Sequence, residues 1–253
     1  MLISKSPREI ELMKKAGHAV ALTFKALEEE IKPGMTALDI DSIVERVFKE
    51  NGCISAEKGY YDYPANACVS VNDTLIHGIP TSKIILRSGD IVSVDIVANY
   101  KGYMADACRT FKVGTISEKA ERLVRVAKEA FFEALKYVKV GGYIGDISHA
   151  IQEYVEAHGY NVARDYTGHG IGAHMHEDPT IPNFGKAGTG QRIIPNIALC
   201  IEPMILEGRK DTRVLNDGWT VKSKDGKLTA HYENTVIVKE DGYEIITMYE
   251  GEE

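Results

Sequence analysis

The chain has 253 residues, 44% hydrophobic and 26% charged, which suits one large or two small soluble globular domains with a substantial core. Its formal net charge of −7, without any block dense in Lys or Arg, argues against nucleic acid or an anionic membrane as the main partner. Cys53, Cys68, Cys108 and Cys200 are widely spaced, so neither a zinc knuckle nor a disulfide framework is indicated. No run approaches the ~20 apolar residues of a membrane span, and the first residues lack the apolar core of a signal peptide. The expectation is a cytoplasmic protein with reduced thiols.

Ser6-Pro7 reads as an N-cap with proline at the first helical position. Ile10, Met13, Gly17, Val20, Phe24, Leu27 and Ile31 then recur at helical spacing until Pro33-Gly34 stops the helix. A second helix is expected from near Asp39 to Gly52, burying Ile43, Val44, Val47 and Phe48. Val69–Val71, Ile91–Ala98, Tyr103–Phe111, Ile197–Ile205 and Glu233–Val238 are β-branched and apolar and read as strands. Residues 182–190 read as a surface loop. The stretch Lys32–Gly52 aligns without gaps on Lys139–Gly159, and Phe24 falls on Phe131. Identity is low and chance competes, but the shared order of elements favours a duplication. The fold class expected is α+β: two helix–helix–strand halves in a single domain over residues 1–253, helices covering a curved antiparallel sheet.

Asp95, Asp106, His169, Glu202 and Glu233 carry the chemistry. Four carboxylates and one neutral imidazole can hold two divalent cations and so make a water-activating centre. A hairpin symmetric about Tyr100-Lys101 would put Asp95 directly opposite Asp106, about 5 Å apart at Cβ; two solvated surface aspartates are the alternative. His169 sits in Gly168-His169-Gly170-Ile171-Gly172, where glycines let backbone approach closely. Glu202 lies in the apolar run Ala198–Met204 and Glu233 before Asn234–Val238, where an unpaired carboxylate is costly. Either glutamate alone could equally serve a salt bridge; with the other three, the ligand reading wins. His18, His149, His158 and His231 have no such frame and read as structural or exposed.

Together, N-D-T-L-I-H-G-I-P, S-V-D-I-V-A-N-Y-K-G-Y-M-A-D-A-C-R-T-F, G-H-G-I-G, M-H-E-D-P, I-E-P-M and D-G-W-T-V-K-S-K-D-G-K-L-T-A-H-Y-E-N-T-V resemble the methionine aminopeptidases. Only 25 residues separate His176 from Glu202, which matches the short type I enzymes. The resemblance implies the pita-bread fold and a pair of divalent metals (Co, Mn, Fe or Zn). Asp106 and Glu233 would bridge the two, Asp95 would chelate one, and His169 and Glu202 would complete the other. It further implies that Glu202 passes a proton to the leaving amine, that His176 contacts the scissile carbonyl, and that His77 holds the second residue. The methionine side chain would lie among Tyr60, Tyr63, Cys68, Met175 and Trp219; without the motifs these would be plain core residues. Glu57 departs from the apolar or cysteine residue of relatives, and Met175 from an aromatic one. Asn72 and Thr229 match positions that bind a structural monovalent cation. The implied partners are the N-termini of nascent polypeptides with a small second residue, with transient ribosome association invisible in the residues and a monomer the default. A proline-specific peptidase on the same fold and a protein- or RNA-binding module that has lost its ligands are the alternatives. The second is disfavoured because all five ligand types are present.

Overall fold

The computed structural model describes residues 1–252. Two long helices open the chain, α1 (Pro7–Glu30) and α2 (Ala37–Glu50). Short strands β1 (Ile54–Ser55), β2 (Cys68–Val71) and β3 (Thr74–Ile76) lead to a long hairpin, β4 (Ile91–Tyr100) and β5 (Tyr103–Lys112). A second helix pair follows, α3 (Glu118–Leu135) and α4 (Ile144–Ala157). Then come β6 (Asn161–Val162), β7 (Thr167–Gly170), β8 (Glu177–Pro182), β9 (Ala198–Ile201) and β10 (Met204–Leu206). The last strands are β11 (Thr212–Val214), β12 (Val221–Ser223), β13 (Thr229–His231), β14 (Asn234–Lys239) and β15 (Gly242–Ile245). Strand pairing is antiparallel throughout. The hairpin anchors one sheet with β1 and β2, and β15-β14-β9-β7-β8 form the other large one.

Both helix pairs start as their sequence indicates. Ser6 caps α1, and Thr36 caps α2 in a reciprocal box with Asp39, so α2 begins at Ala37, two residues before the position expected. The buried stripe of each helix joins its own half's core: Met13, Val20, Phe24, Ile40 and Phe48 in the first, Leu123, Phe131, Ile147 and Val155 in the second.

The duplication is visible in the backbone. Thr36 bridges Ile85, and Tyr143 bridges Arg192. Gly34 N–H donates to Leu86 O at 2.8 Å, and Gly141 N–H to Ile193 O at 2.9 Å. Ala37 N–H donates to Ile84 O, and Ile144 N–H to Gln191 O. The correspondence runs on into the strands. Gly89 and Asn196 both hold positive φ (102° and 62°) just before β4 and β9. Fifth from the start of β4 stands Asp95, and fifth from the start of β9 stands Glu202. These two carboxylates are equivalent positions of one repeated frame. Across the junction, Cys108 and Glu233 exchange backbone hydrogen bonds at 3.4 and 3.0 Å, joining the halves.

Two expectations need correction. The hairpin turns at Lys101-Gly102 (φ 51° and 91°), both in the left-handed region that a two-residue turn requires, with Asn99 Oδ1 accepting from Gly102 N–H at 2.8 Å. Tyr100 therefore pairs with Tyr103, Asp95 faces Cys108, and Asp106 faces Val97. The register moves by two residues, so both aspartates keep the same face. Ile197–Ile205 is not one strand. It breaks at Glu202-Pro203, β9 entering the large sheet and β10 pairing with β6 and β13. Proline cannot donate to a ladder, and the break points Glu202 out of the sheet.

Candidate active site

The β4–β5 hairpin delivers Asp95 and Asp106 on one face. Asp106 is fixed by Thr235 Oγ1, which accepts from its N–H at 2.9 Å and donates to its carbonyl at 2.8 Å. His169 sits in β7, opposite Cys200 of β9. A Cβ on Gly168 would come within 2.4 Å of Cys200 O, and one on Gly170 within 2.1 Å of Asp178 O. The glycines flanking His169 are thus what lets β7 lie between its two neighbours. Glu233 precedes β14, and Arg109 donates to its carbonyl and, at 2.7 Å, to Asn234 Oδ1. That guanidinium is stacked against Phe24 and Tyr232 and paired with Glu252.

These elements bring all five residues together. His169 Nε2 stands 3.6 Å from both Asp106 Oδ2 and Glu202 Oε1. Ligand atoms of Asp106, His169, Cys200 and Glu233 lie within 4.8 Å of one another, as do those of Glu202, His231 and Glu233. Asp95 Oδ1, Asp106 Oδ1 and Glu233 Oε1 are buried without a hydrogen-bond partner. Burial and mutual repulsion push every carboxyl up: Asp95 to about 7 by burial, and Asp106, Glu202 and Glu233 well above the usual range. Burial, and then the nearby His176, hold His169 down to about 3, so its imidazole is neutral and fit to ligate. Buried acids with orphaned oxygens around a neutral imidazole are uncompensated as they stand, and divalent cations supply the missing charge. The residues fit such ions.

A cavity of about 400 Å³ opens onto this cluster. Its walls include Tyr60, Tyr63, Cys68, Met175 and Trp219, so the residues expected around a side chain do line one space. Tyr63 and Trp219 meet edge to face at 5.0 Å, and the Tyr63 hydroxyl is held by the carbonyls of Ala67 and Gly78 at 3.1 Å each. His176 Nδ1 lies 2.8 Å from the Tyr60 hydroxyl, and its ring stands 4.4 Å from that of His169. His77 has a positive φ of 56° and packs between Tyr166 and Trp219 at 6.0 Å from each. Burial holds its pKa down to about 4. Backbone strain of this kind at a cavity wall is a frequent mark of a working residue.

Three residues belong here that sequence reasoning passed over or left open. His231, taken for a structural histidine, is buried beside Glu202 and Glu233; its only sequence signal was its place two residues before Glu233. Glu57 lines the cavity with one buried, unpartnered oxygen, and burial followed by the Asp95 charge pushes its carboxyl well up. Lys5 forms a buried ion pair with Glu177 at 2.5 Å, and Glu177 accepts from His174 N–H, so the start of the chain braces the segment carrying Met175 and His176. Elsewhere, Thr229 donates from N–H and hydroxyl to Asn72 O at 2.9 and 3.0 Å, which joins those two residues directly. His149 and His158 are engaged by backbone carbonyls, as structural histidines are.

A pita-bread arrangement of two duplicated halves around a carboxylate-rich, single-imidazole centre defines a class of metal-dependent hydrolases. Residues 11–240 match metallopeptidase family M24. The methionine aminopeptidase of Clostridium acetobutylicum is 47% identical over 250 residues, covering 99% of this chain and 100% of its own. Methionine aminopeptidase 1 of Bacillus subtilis is 44% identical over 98% of this chain and 99% of its own. The crystal structure of the methionine aminopeptidase from Thermotoga maritima superposes with a TM-score of 0.97 at 46% identity, covering 98% of this chain and 100% of that one. The chain belongs to metallopeptidase family M24, among its methionine aminopeptidases.

Proposed function

We propose that the chain removes the N-terminal methionine from nascent proteins and peptides with a small second residue, and that the cavity described above is where it does so. One observation carries this reading: the five ligand-type residues converge at the floor of the same cavity whose wall is a soft, ring-lined slot. A thioether suits aromatic edges and a thiol better than a charged or branched side chain does. The acidic floor suits a free α-ammonium group, which favours chain ends over internal peptide bonds.

Asp95, Asp106, His169, Glu202 and Glu233 would hold two divalent ions, which when bound activate water and neutralise the carboxylates. The rest falls to side chains. With the Tyr60 hydroxyl donating to His176 Nδ1, the ring proton stays on Nε2 and can be donated to the scissile carbonyl oxygen as charge develops there. Glu202, with a carboxyl that burial and the Asp106 and Asp95 charges hold well up, can carry a proton to the departing amine. His77, wedged between Tyr166 and Trp219, is placed to hold the second residue and to narrow the path beyond the first. The four cysteines are buried and free, in keeping with a reducing, cytoplasmic setting. No helix among the described residues is long and apolar enough to cross a membrane.

Metal-stripped protein assayed on Met-Ala-Ser and on an Ala-Pro peptide, with Mn²⁺, Fe²⁺, Co²⁺ or Zn²⁺ restored, tests the reading. Metal-dependent methionine release, absent in Asp106→Asn and Glu233→Gln, is the expected result. Cleavage of Ala-Pro alone would transfer the chain to the proline-specific branch, and silence on both with no metal uptake would leave a binding module.

A further inference from the structure

His231 is 1% exposed, and neither of its ring nitrogens has a hydrogen-bond partner. Its backbone is pinned: the N–H donates to Thr110 Oγ1 at 3.1 Å, that hydroxyl donates to its carbonyl at 2.8 Å, and β13 sets it opposite Met204. From there Nε2 faces Glu233 Oε2 at 3.7 Å and Glu202 Oε2 at 3.9 Å. A buried polar group left without partners is rare enough to need a reason.

His169 offers the control inside the same molecule. Its Nε2 also stands 3.6 Å from two carboxylates. The two rings differ at the other nitrogen. His169 Nδ1 lies 2.9 Å from Gly170 O, which fixes the proton on Nδ1 and leaves the Nε2 lone pair for a metal. His231 Nδ1 has no acceptor to hold a proton. The better place for its single N–H is Nε2, facing two acids.

We propose that His231 is a positioning residue of the metal centre, donating Nε2–H between the carboxylates of Glu202 and Glu233 and so setting which of their oxygens turn toward the cations. This rests on the reading of those two glutamates as ligands. The N–H dipole offsets the repulsion that each carboxylate exerts on the other across that gap. It also steadies Glu202 for its proton transfer, so the loss of the donor is felt in both metal affinity and turnover.

The test compares metal-stripped wild type, His231→Gln, which keeps an N–H donor, and His231→Leu, which keeps bulk without one. Each is titrated with Co²⁺ by calorimetry and followed by the visible absorption of the bound ion, with thermal melts to verify folding. His231→Gln should bind within about threefold of wild type with the same spectrum, and His231→Leu about 10–100-fold more weakly with a changed one. On Met-Ala-Ser, kcat should fall in His231→Leu while KM holds. Should His231→Leu not fold, His231→Asn, whose amide is too short to reach the glutamates, takes its place. Wild-type affinity and spectrum in the donor-less variant would overturn the inference alone. Equal weakening in His231→Gln would make the imidazole itself a ligand and also overturn it. Wild type that binds no Co²⁺ would overturn the ligand reading, and this inference with it.

Discussion

The two halves of the molecule share a frame and build the site from it by different means. In the first half one unbroken hairpin supplies both acids, Asp95 and Asp106, on one face. In the second, His169, Glu202 and Glu233 come from three chain segments, with β7 admitted by glycines and β9 cut short by Glu202-Pro203. Asp95 and Glu202 occupy equivalent positions, so the symmetric part of the plan supplies two carboxylates. The His169 imidazole, the break that turns Glu202 out of its sheet and the unpaired His231 belong to the second half alone. The frame gives rigidity, and the chemistry sits where the repeat is broken.

The sharpest way to break this comparison is to neutralise its equivalent members one at a time. Asp95→Asn and Glu202→Gln should each lower kcat/KM for Met-Ala-Ser by about a thousandfold or more, since each removes a proposed ligand from a centre that needs full charge compensation. They should differ in metal content. Asp95→Asn should retain one equivalent firmly, because the four residues Asp106, His169, Glu202 and Glu233 remain as a set; Glu202→Gln should lose the ion on the His169 side and hold the other less firmly, on Asp95, Asp106 and Glu233 alone. Equal metal content in the two variants, measured by elemental analysis after dialysis, would show that the halves are interchangeable in function as well as in frame.

Next in size is the brace that has no counterpart in the other half. Lys5 and Glu177 are both almost fully buried, 172 positions apart in sequence. Lys5→Met leaves the Glu177 carboxylate without its cation and should cost about 3–5 kcal/mol by denaturant unfolding. Because Glu177 also holds His174 N–H, the segment bearing His176 should loosen and KM should rise. A variant with unchanged stability would show the pair to be dispensable.

Glu57 distinguishes the cavity wall from its floor. Its carboxyl is pushed well above the usual carboxylate range, by burial first and the Asp95 charge second, and no cation is expected to bind it. Raised in the folded state, it keeps its proton there while the unfolded chain has already released one. Stability is therefore lost as pH rises above about 4.5, and the loss continues until the folded-state value is passed. Glu57→Gln is free of this, so its melting temperature should equal that of wild type near pH 4 and gain on it as pH rises from 4 to 7. A constant gap across that range would mean the carboxyl titrates alike in both states.

How much of this was legible in the sequence follows from the range of each interaction. Capping at Ser6 and the stripe of α1 are local, and so was the alignment of Lys32–Gly52 on Lys139–Gly159, whose structural counterpart extends to Asp95 and Glu202. The four acids and the histidine each sit in a short motif, and the structure brings those residues together. The hairpin's centre was missed because Lys101, not a glycine, takes the first left-handed position of the turn. The break at Glu202-Pro203 was hidden inside an apolar run, although the proline was its signal. His231 and Lys5 were out of reach, since both are defined by partners that only the tertiary fold brings near.

The smallest effect probes the frame where the halves agree best. Asp39 accepts from Thr36 N–H at 2.7 Å, and Asp146 accepts from Tyr143 N–H at 3.0 Å, each at the third position of the second helix of its pair. Both satisfy an otherwise unpaired donor and place negative charge at a helix N-terminus. Asp39→Ala and Asp146→Ala should each cost about 1 kcal/mol, with no change in kcat. The two are not identical: Asp39 also takes the Thr36 hydroxyl at 2.8 Å, whereas Asp146 takes Gly188 N–H at 2.6 Å from a distant loop. Asp146→Ala should therefore be the costlier of the two, because it releases a tertiary contact together with the cap. If Asp39→Ala proved the more damaging, the cap itself would outweigh the loop contact, and the second half would owe less to its long-range bonds than its architecture suggests.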